Sequence, residues 1–131
     1  MIDVAAIRAD LAGVLEHLPV TVYTELPGSV TPPAVVVGLP TTISFEQSHT
    51  LGVCDIPITV VTGPMFNRTA ETELMSTALA VANAIRNVRT VNVAGCRFVD
   101  IDQTTEIAVG DQLPLYSTNV NTQVITHTQE S

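Results

Sequence analysis

The chain has no lysine, no tryptophan, two cysteines and five aromatic residues among 131 positions, and only 14% of it is charged. Each scarcity removes a class of function. Without lysine the cations are Arg8, Arg68, Arg86, Arg89 and Arg97, set against thirteen acids for a formal net charge of -8. Nucleic-acid binding draws on counterion release by clustered Lys or Arg. Here only Arg86 and Arg89 are close in sequence, so groove-reading recognition is unsupported, and a wall that repels passing DNA fits the balance better. Cys54 and Cys96 lie too far apart, and are too few, for a small disulfide scaffold or a CxxC zinc motif. They are expected to be buried free thiols. No apolar run approaches the ~18 residues of a spanning helix. Asp3 stands where a signal peptide would be basic, and no small-residue cleavage site follows an apolar stretch, so the chain is expected to work without export. The Asn67-Arg68-Thr69 sequon then carries no weight.

What is present is apolar: 46% hydrophobic residues and a mean hydropathy of +0.36. That is too apolar for disorder and short of the ~25% charge of a typical soluble protein. Copies or partners are therefore expected to cover part of the surface. The length suits one domain over residues 1–131.

Asp3 can cap a helix in which Val4, Ile7, Leu11, Val14, Leu15 and Leu18 recur at helical spacing until Pro19. Val20 to Glu25 and Ala34 to Val37 read as strands joined by a proline-rich loop. Thr42 to Glu46 alternates, with Ile43 and Phe45 on one face. Gln47 to Gly52 reads as a loop. In Val53 to Thr62, Cys54, Ile56, Ile58 and Val60 share one face and Asp55, Pro57, Thr59 and Val61 the other. Pro57 cannot donate to a ladder and points to an edge or bulge. Gly63-Pro64 breaks the strand. Asn67 can cap a long helix to about Asn87, with Leu74, Ala78, Val81, Ala82 and Ile85 as its buried stripe.

Beyond Val91 the pattern returns to strands. Val91, Val93, Arg97, Val99 and Ile101 fall on one side and Cys96, Phe98, Asp100 and Asp102 on the other, with a bulge at Gly95. After a turn at Gly110-Asp111, Leu115 to Thr126 alternates Tyr116, Val120 and Val124 with Ser117, Asn119, Asn121 and Gln123. Its second face is polar but nearly uncharged, which suits packing against another chain. The order predicts an α+β fold, two helices on a mainly antiparallel sheet. Only the connection through the second helix reads as long enough to join parallel neighbours.

Catalytic signatures are absent. There is no G-x-S-x-G, HExxH or phosphate-binding glycine loop, and His17, His49 and His127 are scattered. His49 with Cys54 reads as a surface histidine beside a buried thiol. Asp100, Asp102, Glu106 and Asp111 form the densest acidic cluster. Hydrolase carboxylate pairs usually come with aromatic platforms, which this cluster lacks apart from Phe98. It reads as a solvated or lumen-facing acidic strand. Neither an enzyme nor a cofactor nor a metal centre is expected.

The pattern resembles the tail-terminator, or tail-completion, proteins of long-tailed bacteriophages. The likeness is carried by the helix Ile2 to Arg8, the Val22-Tyr23 strand and Pro32-Pro33-Ala34-Val35-Val36-Val37. It continues through Asp55-Ile56-Pro57-Ile58-Thr59-Val60-Val61, Asn67-Arg68-Thr69-Ala70-Glu71 and the alternating last strand. The resemblance implies a subunit of a homo-oligomeric, six-membered ring in the virion. Such a ring caps the tail tube protein, ends elongation and offers a docking surface to the head-tail connector of the neck. Genome DNA would pass through the lumen without specific binding. On this reading Asp100, Asp102, Glu106 and Asp111 are lumen or interface acids, and the loop from Glu46 to Cys54, including His49, touches the tube or a neighbouring subunit. A head-to-tail stopper or adaptor of the neck, and a small bacterial binding module, remain as alternatives.

Overall fold

A computed structural model describes residues 3–25, 30–45, 51–64, 68–107 and 115–127. Helix α1 spans Val4–Leu15, and the Asp3 carboxylate caps it by accepting the Ala6 N–H at 3.1 Å. It ends short of Pro19, because a residue preceding proline is pushed out of helical geometry. The Glu16 N–H closes on the Ala12 carbonyl and the Leu18 N–H on that of Leu15. Leu18, outside the helix, still packs on the core. The strands are β1 (Thr21–Tyr23), β2 (Ala34–Val37), β3 (Thr42–Phe45) and β4 (Leu51–Pro64), then, after helix α2 (Arg68–Arg86), β5 (Val93–Ile101), β6 (Thr105–Ile107) and β7 (Leu115–His127).

Antiparallel β4 and β7 are the centre of one sheet. Along the outer side of β4 lie β2 and β3 end to end, with β1 beyond β2; along the outer side of β7 lie β5 and β6. The fold is α+β, as the element order predicts. Among the described residues one strand pair is parallel, and it is not where expected. β1 and β2 run parallel, joined by the proline-rich connection rather than by a helix. The α2 crossover joins β4 to β5, which run in the same direction with β7 between them. Strand β4 also begins at Leu51, inside the expected loop, and continues to Pro64 through a register shift after Val61.

Pro57 lies in the central strand, paired with Asn121 on β7, and not on an edge. Its missing donor is accommodated on the other side. Val37 pairs with Ile58 and Thr42 with Asp55, so residues 38–41 face only residues 56 and 57 and the neighbouring chain bulges away. There the Gly38 N–H donates to the Pro57 carbonyl at 2.9 Å. A Cβ on Gly38 would stand 2.7 Å from that oxygen, so glycine is what permits the approach.

The core lies between the helices and one sheet face. Leu74, Ala78, Val81, Ala82 and Ile85 of α2 and Ile7, Leu11 and Leu15 of α1 pack against Cys54, Ile56, Ile58, Val60, Val120 and Val124. Each large aliphatic side chain buried this way contributes about 1.5–3 kcal/mol. Thr118, Thr122 and Thr126 share this face and are buried. Their hydroxyls donate to the carbonyls of Asp102, Ile56 and Gly52. Val61, on the face opposite Val60 as its alternation predicts, is buried there in a smaller cluster with Val30, Ala34 and Leu115.

Two irregularities reset β5. Its register against β7 shifts between Val93 and Gly95 and again between Cys96 and Phe98. Each bulge lengthens the core-facing spacing by one, so Val93, Cys96, Val99 and Ile101 pack inward. Cys96 thus lies on the side expected for Arg97, which is exposed, and Val91 precedes the strand at 88% exposure. Asp10 locks α1 to the α2–β5 connection. Its carboxylate accepts from the Thr90 hydroxyl at 2.6 Å, the Asn92 N–H at 3.2 Å and the Asn92 side-chain amide at 3.1 Å.

Candidate functional site

Among the described residues, no helix packs on the sheet's second face. Alternation turns Thr59, Pro57 and Asp55 of β4 and Asn119, Asn121 and Gln123 of β7 onto it, all half-buried. These side chains are joined directly across the strands. The Thr59 hydroxyl donates to Asn119 Oδ1 at 2.9 Å, Asn121 Nδ2 to Asp100 Oδ1 at 3.0 Å, and Gln123 Nε2 to Asp55 Oδ1 at 2.8 Å. In each case donor and acceptor occupy paired register positions. Phe98, paired with Gln123, stands 55% exposed beside them. Asp55, Pro57, Phe98, Asn121 and Gln123 line an open recess of about 350 Å³.

This is a pre-organised polar surface with one apolar ring. A carboxylate offers more acceptor sites than one amide donor uses, so Asp55 and Asp100 remain competent to accept from a partner. The arrangement suits binding. Cys54 lies on the opposite, core face, fully buried. Burial first, and the Asp55 charge to a smaller degree, push its thiol above the ordinary value despite the Thr126 contact. Burial likewise pushes Cys96 up, against backbone contacts to Phe98 and Gln123 and the Arg86 charge. Both cysteines are free and pair with the same residue, Val124, from opposite sides of β7. Two strand spacings, about 10 Å, separate them, beyond disulfide reach.

The residues singled out in the sequence are distributed unevenly. Asp100 is exposed on β5 and held by Asn121. Asp102 is exposed just past β5. Its N–H donates to the Asn119 carbonyl, and its own carbonyl accepts from Thr118. Glu106 pairs with Tyr116 through β6. Asp111, Glu46 and His49 lie outside the described residues, as do the Asn67 cap and the Gly110-Asp111 turn. Sequence reasoning found the polar face of β7 but missed Asp55 as a member of it and Asp10 as a structural anchor. The signal for Asp55 was its alternation with Cys54 and Ile56. Among the described residues no group of three or more His, Cys, Asp or Glu is placed to hold a metal ion, and no helix is long and apolar enough to cross a membrane.

Neither a protein-family model nor a curated protein sequence matches the chain. A solved structure does. A chain from the virion of a native gene transfer agent particle superposes with a TM-score of 0.62 at 14% identity, over 98% of this chain and 100% of that one. The likeness establishes a shared α+β fold along the whole length of both chains.

Proposed function

We propose that this chain is a virion structural protein of the tail-terminator type, acting as one unit over residues 1–131. Copies would form a six-membered ring that caps the tail tube, ends its elongation and presents a docking surface to the neck connector. The observation that carries the reading is the end-to-end likeness to a virion chain, which agrees with the pattern resemblance in the sequence. The low charge density supports a subunit whose flanks are covered in an assembly. The acidity supports a lumen that DNA crosses without sticking. On this reading Asp100, Asp102, Glu106 and Asp111 face the lumen or an interface, and the Glu46 to Cys54 segment touches the tube or a neighbour. The role is geometric, matching the last layer of the tube while blocking further addition.

Native mass spectrometry of the purified protein, with negative-stain microscopy of the same sample, tests it. A species near 83.4 kDa, six times 13.9 kDa, with ring images and capping of added tail tubes is the expected result. A monomer that never caps tube ends refutes it. Mutant particles with over-long or unfinished tails support a terminator, whereas leaking heads point to a neck stopper.

A further inference from the structure

Among the described residues, the exposed large apolar side chains other than Val91 gather on two opposite flanks of the sheet. Met75, Leu79 and Phe98 are 46%, 50% and 55% exposed on the β5–β6 side. Leu39 and Ile43, 63% and 41% exposed, lie on the β1–β3 side. On the first flank Met75 and Leu79 stand one helical turn apart on α2 and form a groove with Thr104 of the β5–β6 connection. Arg86, further along α2 at helical spacing, lines a second recess with Arg97 and Phe98. One strip therefore runs from apolar to basic. Arg89, also exposed, follows it.

The opposite flank carries the other sign. Glu16 and Glu25, both exposed, precede and follow β1, the outermost strand on that side. Arg8, the cation described in this region, is turned inward. It donates to the carbonyls of Thr24 and Val37. Asp100 lies with Phe98 on the open sheet face, where Asn121 donates to it, and Asp102 is exposed two residues before the Thr104 of the groove, so the basic character of the strip is confined to its Arg86 and Arg97 end. Among the described residues the exposed arginines are Arg86, Arg89 and Arg97, and a lysine-free chain that gathers them in this way fits an interface, where Arg is enriched and Lys depleted.

We infer that the strip of Met75, Leu79, Arg86 and Arg97 docks against the Glu16, Glu25 and Leu39 flank of a second copy of this chain. Two different, complementary surfaces on opposite edges make a head-to-tail contact, which closes into a ring when the rotation permits. The inference rests on the ring reading and deepens it by naming the subunit contact.

The test uses two charge-reversed full-length variants, one with Arg86→Glu and Arg97→Glu, the other with Glu16→Arg and Glu25→Arg, followed by native mass spectrometry. Each variant alone should associate at least ~10-fold more weakly than wild type, by repulsion between like charges at the contact. Mixed in equal amounts, they should regain the wild-type mass, since each now complements the other. Restoration also demonstrates that both variants are folded. If both keep the wild-type mass alone, or if circular dichroism shows both folded and the mixture does not associate, these flanks are not the contact and the ring reading stands. A wild-type chain monomeric at every concentration overturns the second-copy occupant, and tube-end capping then judges the ring reading separately.

Discussion

Adding one methyl group at two different glycines should move stability in opposite directions. At Gly38 the new Cβ would lie 2.7 Å from the Pro57 carbonyl oxygen and 3.0 Å from Pro57 Cγ. Neither is the loose end of a flexible side chain. Moving Gly38 away would stretch the 2.9 Å hydrogen bond from its N–H to that same oxygen. Gly38→Ala should therefore cost about 1–3 kcal/mol, the usual range for overpacking. For a chain of this size that lowers Tm by roughly 4–12 °C. At Gly13, exposed within α1, a Cβ meets nothing within 4 Å. There alanine should gain about 0.5–1 kcal/mol, because glycine loses more backbone freedom in a helix. Thermal and urea unfolding of both variants beside wild type reads the two signs. A Gly38→Ala protein as stable as wild type, or both variants shifting the same way, would refute the placement of Gly38 against Pro57.

Three further outcomes follow from the same geometry. Burial presses the Asp10 carboxyl upward, but hydrogen bonds from Thr90 and Asn92 outweigh it and hold its pKa below the ordinary 3.8. Its contribution is thus present above that value and lost as the pH falls through the lower folded-state one. Asp10→Ala should cost about 1–2 kcal/mol near pH 7, discounted for partial exposure, with the gap from wild type shrinking in acid-unfolding curves below pH 3.8; a gap constant down to the lowest pH would contradict this. Native thiol titration near pH 8 should find both cysteines slow, Cys54 slowest, and oxidants should form no Cys54–Cys96 disulfide without unfolding, which mass spectrometry of non-reduced digests checks. Asp100→Lys with Asp102→Lys should slow assembly or DNA passage in reconstituted particles, and unchanged infectivity would sink the lumen or interface role of these acids.

Local periodicity was enough to find most elements and the faces they bury. The stripe Leu74, Ala78, Val81, Ala82 and Ile85 and the alternation Cys54, Ile56, Ile58 and Val60 are written within a few residues of each other, and both are fully or nearly fully buried. The polar second face of β7 was legible for the same reason, since Asn119, Asn121 and Gln123 recur at the strand period. Their acid partners were not. Asp55 reaches Gln123, and Asp100 reaches Asn121, through ladders joining distant segments. Similarly, a bulge at Gly95 was legible in β5, where the register does shift, but Cys96 and Arg97 still fell on the wrong sides, because the faces also depend on a second shift between Cys96 and Phe98.

The sequence by itself determined the α+β class, the two helices with their buried stripes, the strand faces of β4 and β7 and the scarcity of charge, all of which depend on composition or on spacing along a few turns or pleats. Only the tertiary structure decided that β1 and β2 run parallel, that Pro57 sits in the central strand opposite a bulge, that Cys54 and Cys96 flank Val124, and that Asp10 fastens α1 to the α2–β5 connection. Those features depend on which distant segment lies alongside, and that choice is made by packing the whole core at once.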